Sequence, residues 1–124
     1  MEIRPTDTIV VAHQRSGTTW TEEIIWMLTN DLDYEKSLSL KMFKKFRFLE
    51  STVFVTSHVK KQLMEHNKGN EKRLELVEKL SQSPQERLGG ITSPRFMKSH
   101  LPLSLLPPGM LDTAKVVYVA RDPR

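Results

Sequence analysis

Cysteine is absent from this 124-residue chain, which excludes disulfides and thiolate metal sites outright. Long apolar runs are absent too. None approaches the roughly 20 residues needed to cross a bilayer, and Met1 to Asp7 is polar, without the apolar core of a secretory signal. These absences set the expectation of a cytoplasmic protein with no membrane partner. Neither sign of charge dominates: 19 Lys+Arg stand against 15 Asp+Glu, and the net +4 suits an anionic ligand or an ordinary surface equally well. What is present, 38% hydrophobic and 27% charged residues, is the composition of one soluble globular domain with a modest core. His13, His58 and His66 show no metal-ligand spacing, so no metal is expected.

Ile9-Val10-Val11-Ala12 is a short apolar run that fits a strand buried on both faces. A polar turn, His13 to Gly17, leads into Trp20, Ile24, Met27 and Leu28, spaced along one face of a helix that Asn30 and Asp31 would end. Leu40 to Glu50 interleaves aromatics with cations, a pattern that can bind single-stranded nucleic acid. The commoner form is a half-buried segment with its lysines in water, and no nucleic-acid partner is expected. Val59, Leu63 and His66 predict a short helix closed by Asn67, Gly69 and Asn70; Leu74, Val77 and Leu80, with the Glu75–Lys79 pair, predict another. Ser81 to Pro94 reads as a loop. Arg95 to Lys98 and Lys115 to Ala120 predict strands, the second rich in β-branched residues. No repeat or domain boundary is evident.

Strands alternating with helices imply an α/β fold with a mostly parallel sheet, whose ligands gather at the carboxyl ends of the strands. Those ends are His13–Gly17, Lys98–His100 and Arg121–Arg124, and each carries a cation or a histidine. In the first, Arg15-Ser16-Gly17-Thr18-Thr19 joins a buried strand to a helix start, where unpaired N–H groups and a partial positive charge favour a phosphate. The loop fits two roles: an anion site, or a simple helix cap by Ser16 or Thr18. It lacks the G-x-x-x-x-G-K-[ST] spacing of a nucleoside triphosphatase.

The string Arg15-Ser16-Gly17-Thr18-Thr19-Trp20 resembles the 5′-phosphosulfate loop of sulfotransferases, whose cytosolic branch usually reads Lys-Ser-Gly-Thr-Thr-Trp after a strand. Pro94-Arg95-Phe96-Met97-Lys98-Ser99-His100-Leu101-Pro102 resembles that branch's segment around the catalytic histidine, and Val117 to Pro123 its strand and loop at the 3′-phosphate site. Thr21-Glu22-Glu23-Ile24-Ile25-Trp26 is similar as well. The resemblance implies a three-layer parallel-sheet nucleotide-binding fold of the P-loop NTPase type, incomplete here, with residues 1–124 as the N-terminal part of a single sulfotransferase domain.

It further implies 3′-phosphoadenosine 5′-phosphosulfate as donor and an alcohol, phenol or steroid hydroxyl as acceptor. Arg15, Ser16, Gly17, Thr18 and Thr19 would cradle the phosphosulfate, Trp20 would contact the adenine and Arg121 the 3′-phosphate. His100 would be the general base, Arg15 would join in catalysis, and Lys98 and Ser99 would line the acceptor side with His100. Arg15 stands where the family has a lysine that stabilises the leaving phosphate; it keeps the charge on a planar fork rather than a flexible point charge. The serine that partners the 3′-phosphate arginine, and a later glycine-rich basic segment, are not among these residues. A homodimer is open for a full-length protein. Two other readings are a nucleotide-binding or interaction module without catalysis, and a membrane-anchored carbohydrate sulfotransferase, against which Lys98-Ser99-His100-Leu101-Pro102 and the missing cysteines argue.

Overall fold

In the computed structural model, which describes residues 2–122, strand β1 (Thr8–Ala12) lies between β3 (Phe96–Ser99) and β4 (Lys115–Val119). A short β2 (Arg47–Phe48) adds to the outer side of β3, and all the pairings are parallel, so the predicted α/β parallel sheet is present in the order β2-β3-β1-β4. Every residue of β1 is buried, as its unbroken apolar run requires of a central strand. The register sets Val10 beside Lys98 and Val117, and Val11 beside Ser99 and Tyr118. Pro123 and Arg124, the last residues of the Arg121–Arg124 run, lie outside the described residues.

The base of the sheet is pinned by charge. Arg95, predicted to open a strand, instead sits one residue before β3 and grips Asp7 with two bonds, Nε to Oδ1 at 2.8 Å and a terminal nitrogen to Oδ2 at 2.6 Å. Both side chains are buried. The same residues hold the strand starts through their backbone: Thr8 N–H donates to the Arg95 carbonyl and Lys115 N–H to the Asp7 carbonyl. One ion pair therefore ties together the entries to β1, β3 and β4.

After β1 the chain forms helix α1 (Thr18–Thr29). The predicted face is turned the other way. Thr18, Glu22 and Trp26 form its buried ridge, while Trp20, Ile24 and Leu28 are exposed, Trp20 at 81%. Burial of Thr18 at the start of the helix sets its rotation, and Trp20, two residues on, is carried about 200° around the axis. Trp26 packs with Val10 and Phe46 in the core cluster; Met27, alone of the predicted stripe, leans on it.

Asp33 caps α2 (Tyr34–Ser39) by accepting from Lys36 N–H at 2.9 Å, and α3 (Met42–Lys45) follows. Lys41 and Lys44 are exposed as expected, but Lys45 is not in water. Its ammonium is buried, 2.7 Å from both Glu23 oxygens and 2.7 Å from Ser37 Oγ, over the Trp26 ring. Ser37 also hydrogen-bonds Glu23. Burial alone would raise the Glu23 pKa; the bonds from Lys45 and Ser37 outweigh it and hold this carboxyl below its ordinary range. A 3-10 turn (Leu103–Leu105) precedes β4.

Residues 49–91 form a separate compact unit. It holds α4 (Ser51–Phe54), α5 (Ser57–His66), α6 (Glu71–Ser81) and α7 (Pro84–Gly89). The helices predicted around Leu63 and Val77 are present as α5 and α6, linked by Lys60–Glu78 at 2.8 Å, with Glu75–Lys79 at 2.6 Å along α6. Helix α7 corrects the loop expected over Ser81–Pro94. Ser83 and Glu86 form a reciprocal capping box with Pro84 in the first turn, a local start signal that outweighs the Gly and Pro content around it. Helix α8 (Met110–Thr113) belongs with the sheet-bearing unit. Among the described residues no helix is long and apolar enough to cross a membrane.

Removing one partner of a buried pair strands the other charge. Arg95→Ala, in the protein that carries this chain, is expected to lower unfolding free energy by about 3–5 kcal/mol in denaturant titration, and Asp7→Leu with Arg95→Met to recover most of that loss.

Candidate functional site

Parallel strands deliver their carboxyl ends to one edge of the sheet. On β1 that end is the loop His13–Gly17. Its backbone is left-handed at Arg15 (φ +62) and Gly17 (φ +102), the form that turns successive N–H groups toward one side as an anion nest. Ser16 N–H closes the turn on the His13 carbonyl at 3.3 Å. Helix α1 then starts at Gly17 with no side-chain cap, so neither Ser16 nor Thr18 plays the capping role. The Thr18 hydroxyl is buried and has no hydrogen-bond partner among the described residues. Arg15, Gly17, Thr19 and Trp20 are exposed and Ser16 is half-buried. This donor set, an uncapped helix start with an orphaned hydroxyl and a cation, fits a phosphate.

On β3 the end carries Lys98, Ser99 and His100. The His100 ring lies 2.8 Å through Nδ1 from the carbonyl of Ala12, the last residue of β1. A carbonyl only accepts, so Nδ1 carries the hydrogen and the neutral ring keeps its lone pair on Nε2. The edge of Phe48 meets the His100 ring at 5.4 Å, and the Phe48 face lies 5.5 Å from Lys98 Nζ. Ser99 is fully buried and its hydroxyl accepts from Leu101 N–H at 3.0 Å, which shapes the turn rather than lining a surface. On β4 the end carries Arg121, exposed, two residues past Val119, which pairs with Ala12. Arg15, His100 and Arg121 thus follow the ends of three adjacent strands in one compact unit.

Sequence reasoning gave no role to Glu22. Its carboxylate is wholly buried, with Oε1 3.2 Å from Lys98 Nζ. The two make an ion pair, and neither carboxylate oxygen has a hydrogen bond of good geometry among the described residues. Burial raises the Glu22 pKa against the pull of Lys98 and, less, of His100. The signal in the sequence was its spacing, four residues from Thr18 and four from Trp26 on the ridge that the structure buries. No group of three His, Asp or Glu that could hold a metal ion occurs among the described residues.

Comparisons with known proteins add an independent line. The family model for the sulfotransferase domain matches residues 5–124. Luciferin sulfotransferase of Photinus pyralis is 31% identical, across 99% of this chain and 31% of its own length. Sulfotransferase 1E1 of Bos taurus is 33% identical, across 98% of this chain and 33% of its own. The chain therefore spans about a third of the curated relatives it matches. Among solved structures, retinol dehydratase in a complex with retinol and PAP superposes with a TM-score of 0.86 at 38% identity, covering 99% of this chain and 38% of that one. The same enzyme with androsterone and inactive cofactor PAP gives 0.84 at 38% identity, over the same shares of the two chains.

A Cβ built on Gly17 meets no protein atom beyond its chain neighbours within 4 Å, so within the fold itself the left-handed backbone angle is what calls for glycine. Gly17→Ala should cost about 1–2 kcal/mol of stability through left-handed strain alone, measurable by chemical unfolding, and Gly17→Asn less.

Proposed function

The chain belongs to the sulfotransferase-domain family, and from that premise we propose that it carries the phosphosulfate-binding and base-bearing part of an enzyme that moves a sulfuryl group to an acceptor hydroxyl. The donor is 3′-phosphoadenosine 5′-phosphosulfate, in keeping with the PAP held by the neighbouring structures. The acceptor is a small alcohol, phenol or steroid, in keeping with their retinol and androsterone. On this reading residues 1–124 are the N-terminal part of a single sulfotransferase domain.

The observation that carries this reading is the bond between His100 Nδ1 and the Ala12 carbonyl. It ties the histidine to the strand that leads into the phosphate loop and fixes the tautomer a base needs. When bound, the donor supplies a sulfuryl group on a good phosphate leaving group. His100 Nε2 takes the acceptor's hydroxyl proton as its oxygen attacks sulfur, and the bond from sulfur to phosphate oxygen breaks with its electron pair left on phosphate. Helix α1's first N–H groups with Arg15, Ser16, Gly17, Thr18 and Thr19 hold the 5′-phosphate and meet its growing charge; Trp20 contacts the adenine and Arg121 holds the 3′-phosphate. Lys98 stabilises charge on the transferring group. Positioning and electrostatics dominate such a step, as in phosphoryl transfer.

In the whole protein, supplied with donor labelled in its sulfate and a panel of phenols and alcohols, His100→Ala is expected to cut kcat by about 10²–10⁴-fold with unchanged affinity for adenosine 3′,5′-bisphosphate. Arg121→Ala should weaken that nucleotide about 10- to 100-fold, the worth of one charge-assisted bond. A His100→Ala protein with full turnover would refute the base. Nucleotide binding by the parent protein with no transfer to any acceptor would identify it as a binding module instead.

A further inference from the structure

Two consecutive carboxylates, Glu22 and Glu23, lie in the second turn of α1, and their surroundings separate their roles. Glu23 accepts three hydrogen bonds, two from Lys45 and one from Ser37. Glu22 is wholly buried beneath Lys98, and its oxygens lack hydrogen-bond partners among the described residues. A buried carboxylate so poorly served costs stability, and burial outweighs the pull of Lys98 in raising its pKa. Fold stability therefore gives it no rationale.

Its place does. Lys98 and Val10 are register partners, so their side chains share the sheet face on which Trp26 packs against Val10, and Glu22 precedes Trp26 by one helical turn. The ammonium is held on two sides, by Glu22 Oε1 at 3.2 Å and the face of Phe48 at 5.5 Å, and its side chain is 24% exposed. An ammonium has three N–H donors, and the ion pair with Glu22 leaves directions open for a bound group.

We propose that Glu22 is a positioning residue that anchors the Lys98 ammonium beside His100 for the transfer step. The proposal rests on the sulfotransferase reading and goes beyond it in assigning a buried acid of α1 to the acceptor side. A flexible four-carbon stem otherwise leaves Lys98 many rotamers, and displacement by about 1 Å in such a step costs on the order of 10²-fold in rate.

The test compares kcat, affinity for adenosine 3′,5′-bisphosphate and unfolding midpoint in the whole protein for Glu22→Gln, Lys98→Met, both together, and Glu23→Gln as neighbour control. Glu22→Gln is expected to lower kcat about 10- to 100-fold, with nucleotide affinity unchanged and the unfolding midpoint equal or higher. In the Lys98→Met background it should cost nothing more, the mark of two residues acting through one another. Glu23→Gln should lower stability and leave kcat intact. Parental kcat in Glu22→Gln, or losses that multiply in the double variant, would overturn the proposal. A Glu22→Gln protein that fails to fold would overturn it in favour of a purely structural acid. A parent protein that binds nucleotide but transfers nothing would overturn the sulfotransferase reading and this proposal together.

Discussion

Parallel pairing of β1 with β3 on one side and β4 on the other is the constraint from which the rest of the structure follows. Parallel strands share a direction, so their carboxyl ends reach one edge, and residues that are 85 positions apart or more in sequence, such as Arg15 and His100, follow neighbouring strands. The register is not left to hydrophobicity alone. Since β1 is apolar on both faces, a slip by one residue would still bury apolar side chains, and alternation would discriminate weakly. The Asp7–Arg95 pair supplies the missing discrimination, because a slipped strand would strand a buried charge at its base. What is locked at one end of the sheet is then delivered at the other, where the His100 ring reaches the Ala12 carbonyl.

Among the described residues of this unit, buried charge appears in three places, with two different outcomes. Asp7 and Arg95 are joined by two directed bonds, and Asp7 also accepts from Arg4 N–H. Lys45 has Glu23 and Ser37 as bonding partners and an aromatic ring beneath it. In both, geometry offsets desolvation. Glu22 and Lys98 are the exception: contact is made at 3.2 Å, yet the carboxylate's bonding capacity goes unmet among the described residues, and desolvation prevails. The poorly served pair is the one beside the strand ends. Polar groups left short of partners near a binding edge are the places where a fold gives up stability for chemistry.

The strands were legible wherever β-branched and apolar residues run together, as in Ile9–Ala12 and Val116–Val119, and α5 and α6 were legible from apolar period, turn residues and the Glu75–Lys79 pair. The strand-end residues were legible as strings of letters. Rotation about a helix axis was not. Trp20, Ile24 and Leu28 form the more apolar stripe of α1, but the entry from β1 buries Thr18 and so turns Glu22 and Trp26 inward. Lys45 was read as solvated because a lone lysine gives no hint of a carboxylate 22 residues away. Two residues are too few for β2 to show any period, and the capping box of α7 was hidden among residues that favour loops. Each of these depends on a partner distant in sequence, or on a local signal outweighed by composition.

One nucleotide bridging the ends of β1 and β4 is the arrangement on which sulfuryl transfer by this fold depends. A crystal structure of the whole protein with adenosine 3′,5′-bisphosphate tests this most directly. The 5′-phosphate should sit on the first N–H groups of α1 with the Thr18 hydroxyl turned to it, and the 3′-phosphate should be bonded to Arg121. Well-defined nucleotide bound at any other edge of the sheet, with Thr18 and Arg121 untouched, would contradict it.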